Sequence, residues 1–127
     1  MSRPRVLVAE DNRVTAAVIE RQLVRLGCDV VAVRNGEAAL AAAEADRFDL
    51  ILSDEQMPRM NGREFCAAAR RLPQHADTPI IFCTAKAFEI DHDALRAELG
   101  VAEILIKPFS PMSLAATVEA NLAAAAG

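Results

Sequence analysis

Short aliphatic runs alternate with longer helical patterns along the chain, and this alternation favours a parallel sheet covered by helices. Two of the runs, residues 50–52 and 80–83, are apolar throughout, as expected of strands buried on both faces. The predicted strands are residues 5–9, 29–33, 50–53, 80–83 and 103–106, and the predicted helices are residues 13–26, 37–45, 63–72, 91–99 and 111–125. We therefore predict an α/β fold, a doubly wound (βα)5 three-layer sandwich with a parallel five-stranded sheet. No linker or repeat interrupts the pattern, so residues 1–127 are expected to form a single domain.

The charge and composition argue against several classes of function. The net charge is −4, and no basic stripe of the kind that binds nucleic acid is present. No apolar run approaches the ~18 residues of a membrane-spanning helix, and the first residues do not resemble a signal peptide. Three cysteines without CxxC spacing fit the reducing cytoplasm, with Cys83 in the core. His75 and His92 lack the spacing of a helical metal pair, and we expect both at the surface.

Polar residues follow four of the predicted strands at their carboxyl ends. Glu10 and Asp11 follow the first strand and Asp54 the third, while Thr84 follows the fourth and Lys107 the fifth. In open α/β sheets, ligands bind beyond the carboxyl ends of the strands. The sequence therefore predicts that these residues, which are far apart along the chain, form one site.

The predicted site has the groups needed for phosphoryl transfer to an aspartate. Three neighbouring carboxylates need a counter-charge, and Mg²⁺ binds one or two carboxylates while bridging to a phosphate. A carboxylate in such a cluster can act as a nucleophile and form an aspartyl phosphate. Because phosphoryl transfer depends on positioning and charge neutralisation, Lys107 would neutralise charge and the Thr84 hydroxyl would hydrogen-bond a phosphoryl oxygen.

Each of these residues also has an ordinary structural explanation. Asp11 would serve as the N-cap of the first helix, and Asp54 as a turn residue after a strand. The Thr84 hydroxyl would bond to backbone, and Lys107 would be a solvated charge. These explanations do not account for the residues appearing together at the ends of four strands.

Four segments of the chain resemble the response-regulator receiver domains, which have the CheY-like fold. They are residues 8–12 (VAEDN), 54–62 (DEQMPRMNG), 79–85 (PIIFCTA) and 107–110 (KPFS). The resemblance extends over residues 6–122 and implies the strand order 2-1-3-4-5. It also implies a phosphorylation switch of a two-component system or phosphorelay, without enzymatic activity beyond its own phosphorylation and dephosphorylation.

The resemblance implies a role for each site residue. Asp54 would be the phosphorylation site and would bind Mg²⁺ directly together with Asp11. Gln56 would bind the ion through its backbone carbonyl and Glu10 through water. Thr84 would be the switch hydroxyl. Lys107 would pair with Asp54 or its phosphate, and its peptide bond to Pro108 is expected to be cis.

Two positions depart from the family pattern. Ile104 stands where many relatives have an aromatic residue, so a ring-flip readout is excluded. The switch is expected to involve the 85–90 loop, the fourth helix and the last strand–helix face instead. Glu55, directly after the acceptor, is usually apolar or neutral in the family, and its charge would disfavour an incoming phosphoryl group.

The first helix offers a candidate docking surface. Its core face is predicted to comprise Ala16, Ile19, Leu23 and Leu26. Val14 and Val18 fall on the opposite side, near the predicted site, where the resemblance implies docking of a histidine kinase or phosphotransfer protein. Phe109 would either join this surface or pack under the last helix. Two exposed valines are also ordinary surface residues, and we interpret Arg70 and Arg71 as a solvated helix face.

Two other functions compete with the phosphorylation switch. Hydrolases of the haloacid dehalogenase kind also form an aspartyl phosphate, but their nucleophile follows the first strand in an Asp-x-Asp pattern, where this chain has residues 10–12 (EDN). A receiver-shaped interaction module that is never phosphorylated would lack an acidic residue, the threonine or the lysine. The sequence leaves open the kinase, the downstream target or output domain, and dimerisation upon phosphorylation.

Overall fold

The computed structural model describes residues 3–86 and 91–126, and its core is a parallel five-stranded sheet in the order β2-β1-β3-β4-β5. The strands are β1 (Arg5–Ala9), β2 (Asp29–Val33), β3 (Leu50–Asp54), β4 (Ile80–Thr84) and β5 (Glu103–Ile106). The helices are α1 (Arg13–Arg25), α2 (Gly36–Ala45), α3 (Gly62–Arg70), α4 (His92–Leu99) and α5 (Pro111–Ala126). The predicted fold class and strand order are confirmed. In the described part of the chain, no helix combines the length and apolarity needed to cross a membrane.

The strand register brings the predicted polar residues to one edge. Ala9 of β1 pairs with Ser53 of β3, so the next residues, Glu10 and Asp54, lie side by side. Asp54 pairs in turn with Cys83, the residue before Thr84. These residues are far apart in the chain, and they lie close together because parallel strands align their carboxyl ends.

Asparagine or aspartate side chains cap the first four helices, α1 to α4, at this edge of the sheet. Asn12 is the N-cap of α1 and accepts a hydrogen bond from the Thr15 N–H at 2.9 Å. Asp91 caps α4 in the same way. Because Asn12 supplies the cap, the alternative role for Asp11 as the N-cap is wrong, and its carboxylate is available to the site.

Two hydrophobic clusters fill the space between the sheet and its two helical layers. One contains Phe65 and Phe82, and the other contains Ile19 and Leu23 from the predicted core face of α1. Ala16 is buried and Leu26 is partly buried, as predicted. All three cysteines are buried as free thiols, so the core position predicted for Cys83 is confirmed.

Two surface predictions are wrong. His75 is fully buried because α3 ends at Arg70 and a short 3-10 helix, Pro73–His75, turns the ring inward. Its Nε2 lies 3.0–3.1 Å from the carbonyl oxygens of Asp46 and Ala43. The Arg70 guanidinium also points inward and donates to backbone carbonyls, whereas Arg71 is exposed as predicted.

Part of the predicted switch loop, residues 87–90, lies outside the described residues.

Candidate functional site

Three carboxylates form a cluster at the carboxyl edge of the sheet. Glu10, Asp11 and Asp54 each offer an oxygen, and these oxygens all lie within 4.8 Å of one another. Glu10 and Asp54 are buried, with Asp54 only 6% exposed, while Asp11 is open to solvent. A group of hard oxygen ligands with one solvent-facing member fits a divalent cation that keeps part of its water shell.

Lys107 supplies positive charge inside this cluster. Its Nζ lies 2.6 Å from Glu10 Oε1 and 3.0 Å from Asp54 Oδ1. The pairing with Asp54 agrees with the predicted geometry, and the interpretation of Lys107 as a solvated charge is wrong. The shorter contact with Glu10 was not predicted, because it depends on how β5 aligns with β1 across the sheet. The peptide bond between Lys107 and Pro108 is cis, as predicted.

Burial governs the acid–base properties of the cluster. Desolvation raises the pKa of the Glu10 carboxyl although Lys107 acts against this shift. Desolvation also raises the pKa of Asp54, again opposed by Lys107. For Lys107, burial alone would lower the pKa, but the hydrogen bonds to Glu10 and Asp54 outweigh it and the pKa is raised. The Lys107 ammonium therefore does not fully offset the desolvation of the Glu10 and Asp54 carboxylates. Additional positive charge would stabilise their ionised forms.

Thr84 makes a contact that sequence reasoning missed. Its hydroxyl donates a hydrogen bond of 2.7 Å to Glu55 Oε1 and accepts one of 3.0 Å from the Lys86 N–H. The second Glu55 oxygen, Oε2, lies 3.7 Å from Arg63 Nε. The sequence signal was the unusual charge directly after the acceptor, which predicted an electrostatic effect without the hydrogen bond.

The chain after Asp54 is held tightly by Gly62. The Gly62 N–H donates to the Glu55 carbonyl at 2.8 Å, and a Cβ at this glycine would lie only 2.1 Å from the Asp54 carbonyl oxygen. Asn61 and Glu64 form a capping box that begins α3 at this point. The absence of a side chain at Gly62 thus permits the close packing that positions Asp54.

A cavity of about 140 Å³ opens beside the acceptor. It is lined by Asp54, Glu55, Gln56, Thr84, Ala85, Lys86 and Lys107. The cavity therefore joins the predicted nucleophile, hydroxyl and ammonium in one space. The Gln56 residue is exposed at its border, and the metal-binding role of its carbonyl stays a prediction.

The candidate docking residues form a groove next to the site. Val14 is 75% exposed and Val18 is 40% exposed. Together with the partly buried Phe109, they line a cavity of about 460 Å³ that is also bordered by Lys107. Phe109 packs against the core as well, so both positions considered for it are realised.

The fold and the acidic site define a class of protein, the phosphorylation-dependent switches of two-component signalling. The response regulator receiver domain family model matches residues 6–119, and the chain belongs to this family.

Individual relatives agree with this assignment. The chain is 37% identical over 118 residues to the alkaline phosphatase synthesis transcriptional regulatory protein PhoP of Bacillus subtilis, covering 93% of this chain and 48% of PhoP. It therefore spans about half the length of that relative. The chemotaxis response regulator CheY4 of Vibrio cholerae has a similar structure, with a TM-score of 0.87, 32% identity, and coverage of 94% of this chain and 99% of that one. The receiver domain of a Pseudomonas aeruginosa sensor histidine kinase, with a magnesium ion coordinated in its active site cleft, gives a TM-score of 0.86 at 31% identity, covering 96% and 99% of the two chains.

Proposed function

We propose that this chain accepts a phosphoryl group on Asp54 from the phosphohistidine of a kinase or phosphotransfer protein, and that phosphorylation changes its partner-binding face. The observation that carries the proposal is a buried Asp54 carboxylate, 3.0 Å from Lys107, on a cavity that Thr84 also lines. An Asp54 oxygen attacks phosphorus as the phosphorus–nitrogen bond breaks. The bonding electron pair stays on the imidazole nitrogen, which takes up a proton.

The residues around Asp54 have distinct roles in this reaction. Lys107 neutralises charge on Asp54 and on the incoming phosphoryl oxygens, and it stays oriented by Glu10 at 2.6 Å. The Thr84 hydroxyl borders the cavity and donates to a phosphoryl oxygen once the group is attached. Thr84 thereby reports the phosphorylated state to the segment that follows β4.

We further propose that the carboxylate cluster holds Mg²⁺. The mutual spacing of Glu10, Asp11 and Asp54 within 4.8 Å fits a hard cation, with Asp11 and Asp54 as direct ligands, Glu10 through water and Gln56 through its carbonyl. When bound, Mg²⁺ would neutralise charge on the transferring phosphoryl oxygens. The magnesium ion in the Pseudomonas aeruginosa relative supports this choice of metal.

The partners follow from the same proposal. A kinase or phosphotransfer helix would dock in the groove at Val14, Val18 and Phe109, because this apolar groove shares Lys107 with the acceptor cavity. A downstream protein or an output domain would respond to the phosphorylated face. A comparison of the phosphorylated and unphosphorylated chain would test whether phosphorylation changes dimerisation. The buried free thiols support a reducing, cytoplasmic location.

We propose no enzymatic turnover beyond phosphorylation and dephosphorylation of the chain itself. The proposed acceptor is the last residue of β3, and the first strand delivers Glu10 and Asp11 to the carboxylate cluster rather than a nucleophile. Sustained release of phosphate from a low-molecular-weight phosphate ester would instead favour a hydrolase of the haloacid dehalogenase kind.

Phosphate-affinity gel electrophoresis tests the acceptor directly. Wild-type protein incubated with acetyl phosphate and Mg²⁺ should give a retarded band that Asp54→Asn lacks, and removal of the metal with a chelator should abolish it. Asp93→Asn, which changes an exposed aspartate on α4, should keep the band. A retarded band of equal intensity in Asp54→Asn would refute Asp54 as the acceptor, and no band with acetyl phosphate or a cognate kinase would favour an unphosphorylated interaction module.

A second measurement tests docking. Val14→Asp should slow phosphotransfer from the kinase, because a charge would be buried in an apolar interface, and should leave the rate with acetyl phosphate unchanged. Equal loss with both phosphoryl donors would argue against docking at this groove.

A further inference from the structure

The Glu55 carboxylate is held at both of its oxygens beside the acceptor cavity. Oε1 accepts the Thr84 hydroxyl at 2.7 Å, and Oε2 lies 3.7 Å from Arg63 Nε. Its side chain is only 13% exposed. Glu55 is thus an ordered part of the site wall rather than a solvated charge.

This contact uses the only hydrogen that Thr84 can donate. A threonine hydroxyl has one O–H donor, and in the structure it is directed to Glu55. Because the hydroxyl also accepts from the Lys86 N–H at 3.0 Å, its orientation is defined on both sides. A phosphoryl oxygen on Asp54 requires the same hydrogen. The bond to Glu55 and the bond to the phosphoryl group therefore exclude each other.

Charge acts in the same direction. Asp54 and Glu55 line the cavity together with Lys86 and Lys107. A phosphoryl group adds negative charge to this space, and the nearby Glu55 carboxylate opposes it. Lys107 is already paired with Glu10 and Asp54, and the cation that faces Glu55 is Arg63, at 3.7 Å from Oε2.

We propose that Glu55 is an internal competitor of the phosphoryl group. In the unphosphorylated protein the Glu55 carboxylate accepts the Thr84 hydroxyl hydrogen. This hydrogen bond has to break before the hydroxyl can donate to the phosphoryl oxygen. Glu55 is a positioning residue that acts through Thr84 and favours the unphosphorylated state. This inference rests on the proposed function of Asp54 and adds a regulatory residue to it.

Beryllofluoride, a tetrahedral analogue of the phosphoryl group, provides the measurement. Its affinity for the Mg²⁺-loaded protein would be determined by titration of ¹⁵N-labelled protein followed by NMR, for wild type, Glu55→Gln and Glu55→Ala. Glutamine removes the charge but keeps an oxygen that can accept the Thr84 hydroxyl, whereas alanine removes both. We expect the affinity to rise from wild type to glutamine and again, about fivefold, from glutamine to alanine, as a neutral hydrogen bond would give. Glu44→Gln, an equal charge change on an exposed residue of α2, should match wild type within about twofold.

Repeating the pair in a Thr84→Val background separates competition from other effects. Valine has the shape of threonine without the hydroxyl, so Glu55→Gln and Glu55→Ala should then bind beryllofluoride equally. The Lys86 amide resonance should also differ between glutamine and alanine without beryllofluoride, because it reports on the Thr84 oxygen. A difference between glutamine and alanine that persists with valine, or no difference with threonine, would overturn the inference. Failure of the proposed function would look different, since no variant with Asp54 intact would then bind beryllofluoride.

Discussion

The two edges of the sheet each contain a cluster of polar side chains, but one cluster is built on hydrogen bonds to backbone carbonyls and the other on neighbouring carboxylates. At the amino edge, the Arg70 guanidinium donates to four backbone carbonyls, those of Leu99, His75, Thr78 and Gly100, at 2.6–3.0 Å. The His75 ring contacts the Thr78 hydroxyl at 3.0 Å and two further carbonyls. At the carboxyl edge, the Lys107 ammonium contacts Glu10 and Asp54, and Asp11 lies close to both carboxylates.

This difference distinguishes a structural cluster from a functional one. Buried polar groups that satisfy one another stabilise a single conformation. Burial penalises the charged groups of both clusters, since it lowers the pKa of Arg70 and raises the pKa of Asp54. Arg70 has four carbonyl partners, whereas neighbouring carboxylates that share one ammonium would be stabilised by a further cation. Cavity size gives the opposite and misleading answer, because the cavity of about 720 Å³ beside Arg70 is larger than the one of about 140 Å³ beside Asp54.

The largest effect is expected at the amino edge. Arg70→Met keeps much of the aliphatic stem but leaves carbonyls without a donor, and we expect it to lower the free energy of unfolding by about 3 kcal/mol. Arg71→Met, its exposed neighbour, should change it by less than about 0.5 kcal/mol. Urea denaturation measures both. Equal effects at the two arginines would remove the distinction between them, and acetyl phosphate should still phosphorylate the folded Arg70→Met protein.

A smaller loss is expected for His75→Phe. Phenylalanine preserves ring volume and the stacking of residue 75 on Phe48, whose rings are 6.0 Å apart, but it cannot donate to the Ala43 and Asp46 carbonyls. We expect a loss of about 2 kcal/mol in the free energy of unfolding. An unchanged denaturation midpoint would mean that ring packing, and not these hydrogen bonds, stabilises this edge.

The smallest effect, of opposite sign, is expected at the carboxyl edge. Asp54→Asn should raise the melting temperature at neutral pH without Mg²⁺, because it removes a buried charge whose ionised form the fold disfavours. Because the pKa of Asp54 is higher in the folded state, wild type becomes less stable as pH rises from about 4 through the folded-state pKa. The melting temperatures of the two proteins should therefore converge at acid pH. Thermal denaturation across this range tests the sign.

Magnesium should make wild type more stable than Asp54→Asn. At ten times its dissociation constant a ligand stabilises the folded state by about 1.4 kcal/mol, so Mg²⁺ should stabilise wild type and have a weaker effect on Asp54→Asn, which lacks one of the carboxylates of the cluster. Destabilisation of Asp54→Asn without the metal would contradict the proposed electrostatic imbalance.

The sequence was sufficient for the features that local patterns encode. Continuous apolar runs predicted β3 and β4 because a strand covered by helices on both faces must be apolar on both faces. The carboxyl ends of these strands then predicted a shared site for Asp54 and Thr84, since parallel strands align their ends. These arguments need only the alternation of elements and the direction of the chain.

Tertiary structure alone decided which polar side chains meet. Arg70 and Arg71 are equivalent as sequence, but α3 directs only Arg70 towards the carbonyls of Thr78, before β4, and of Leu99, at the end of α4. Lys107 reaches Glu10 as well as Asp54, and Glu55 reaches Thr84, through contacts between residues 29 to 97 positions apart. Such pairings depend on register and on the space left after the core has packed, because hydrogen bonds vary with tenths of an ångström that a periodic pattern does not encode.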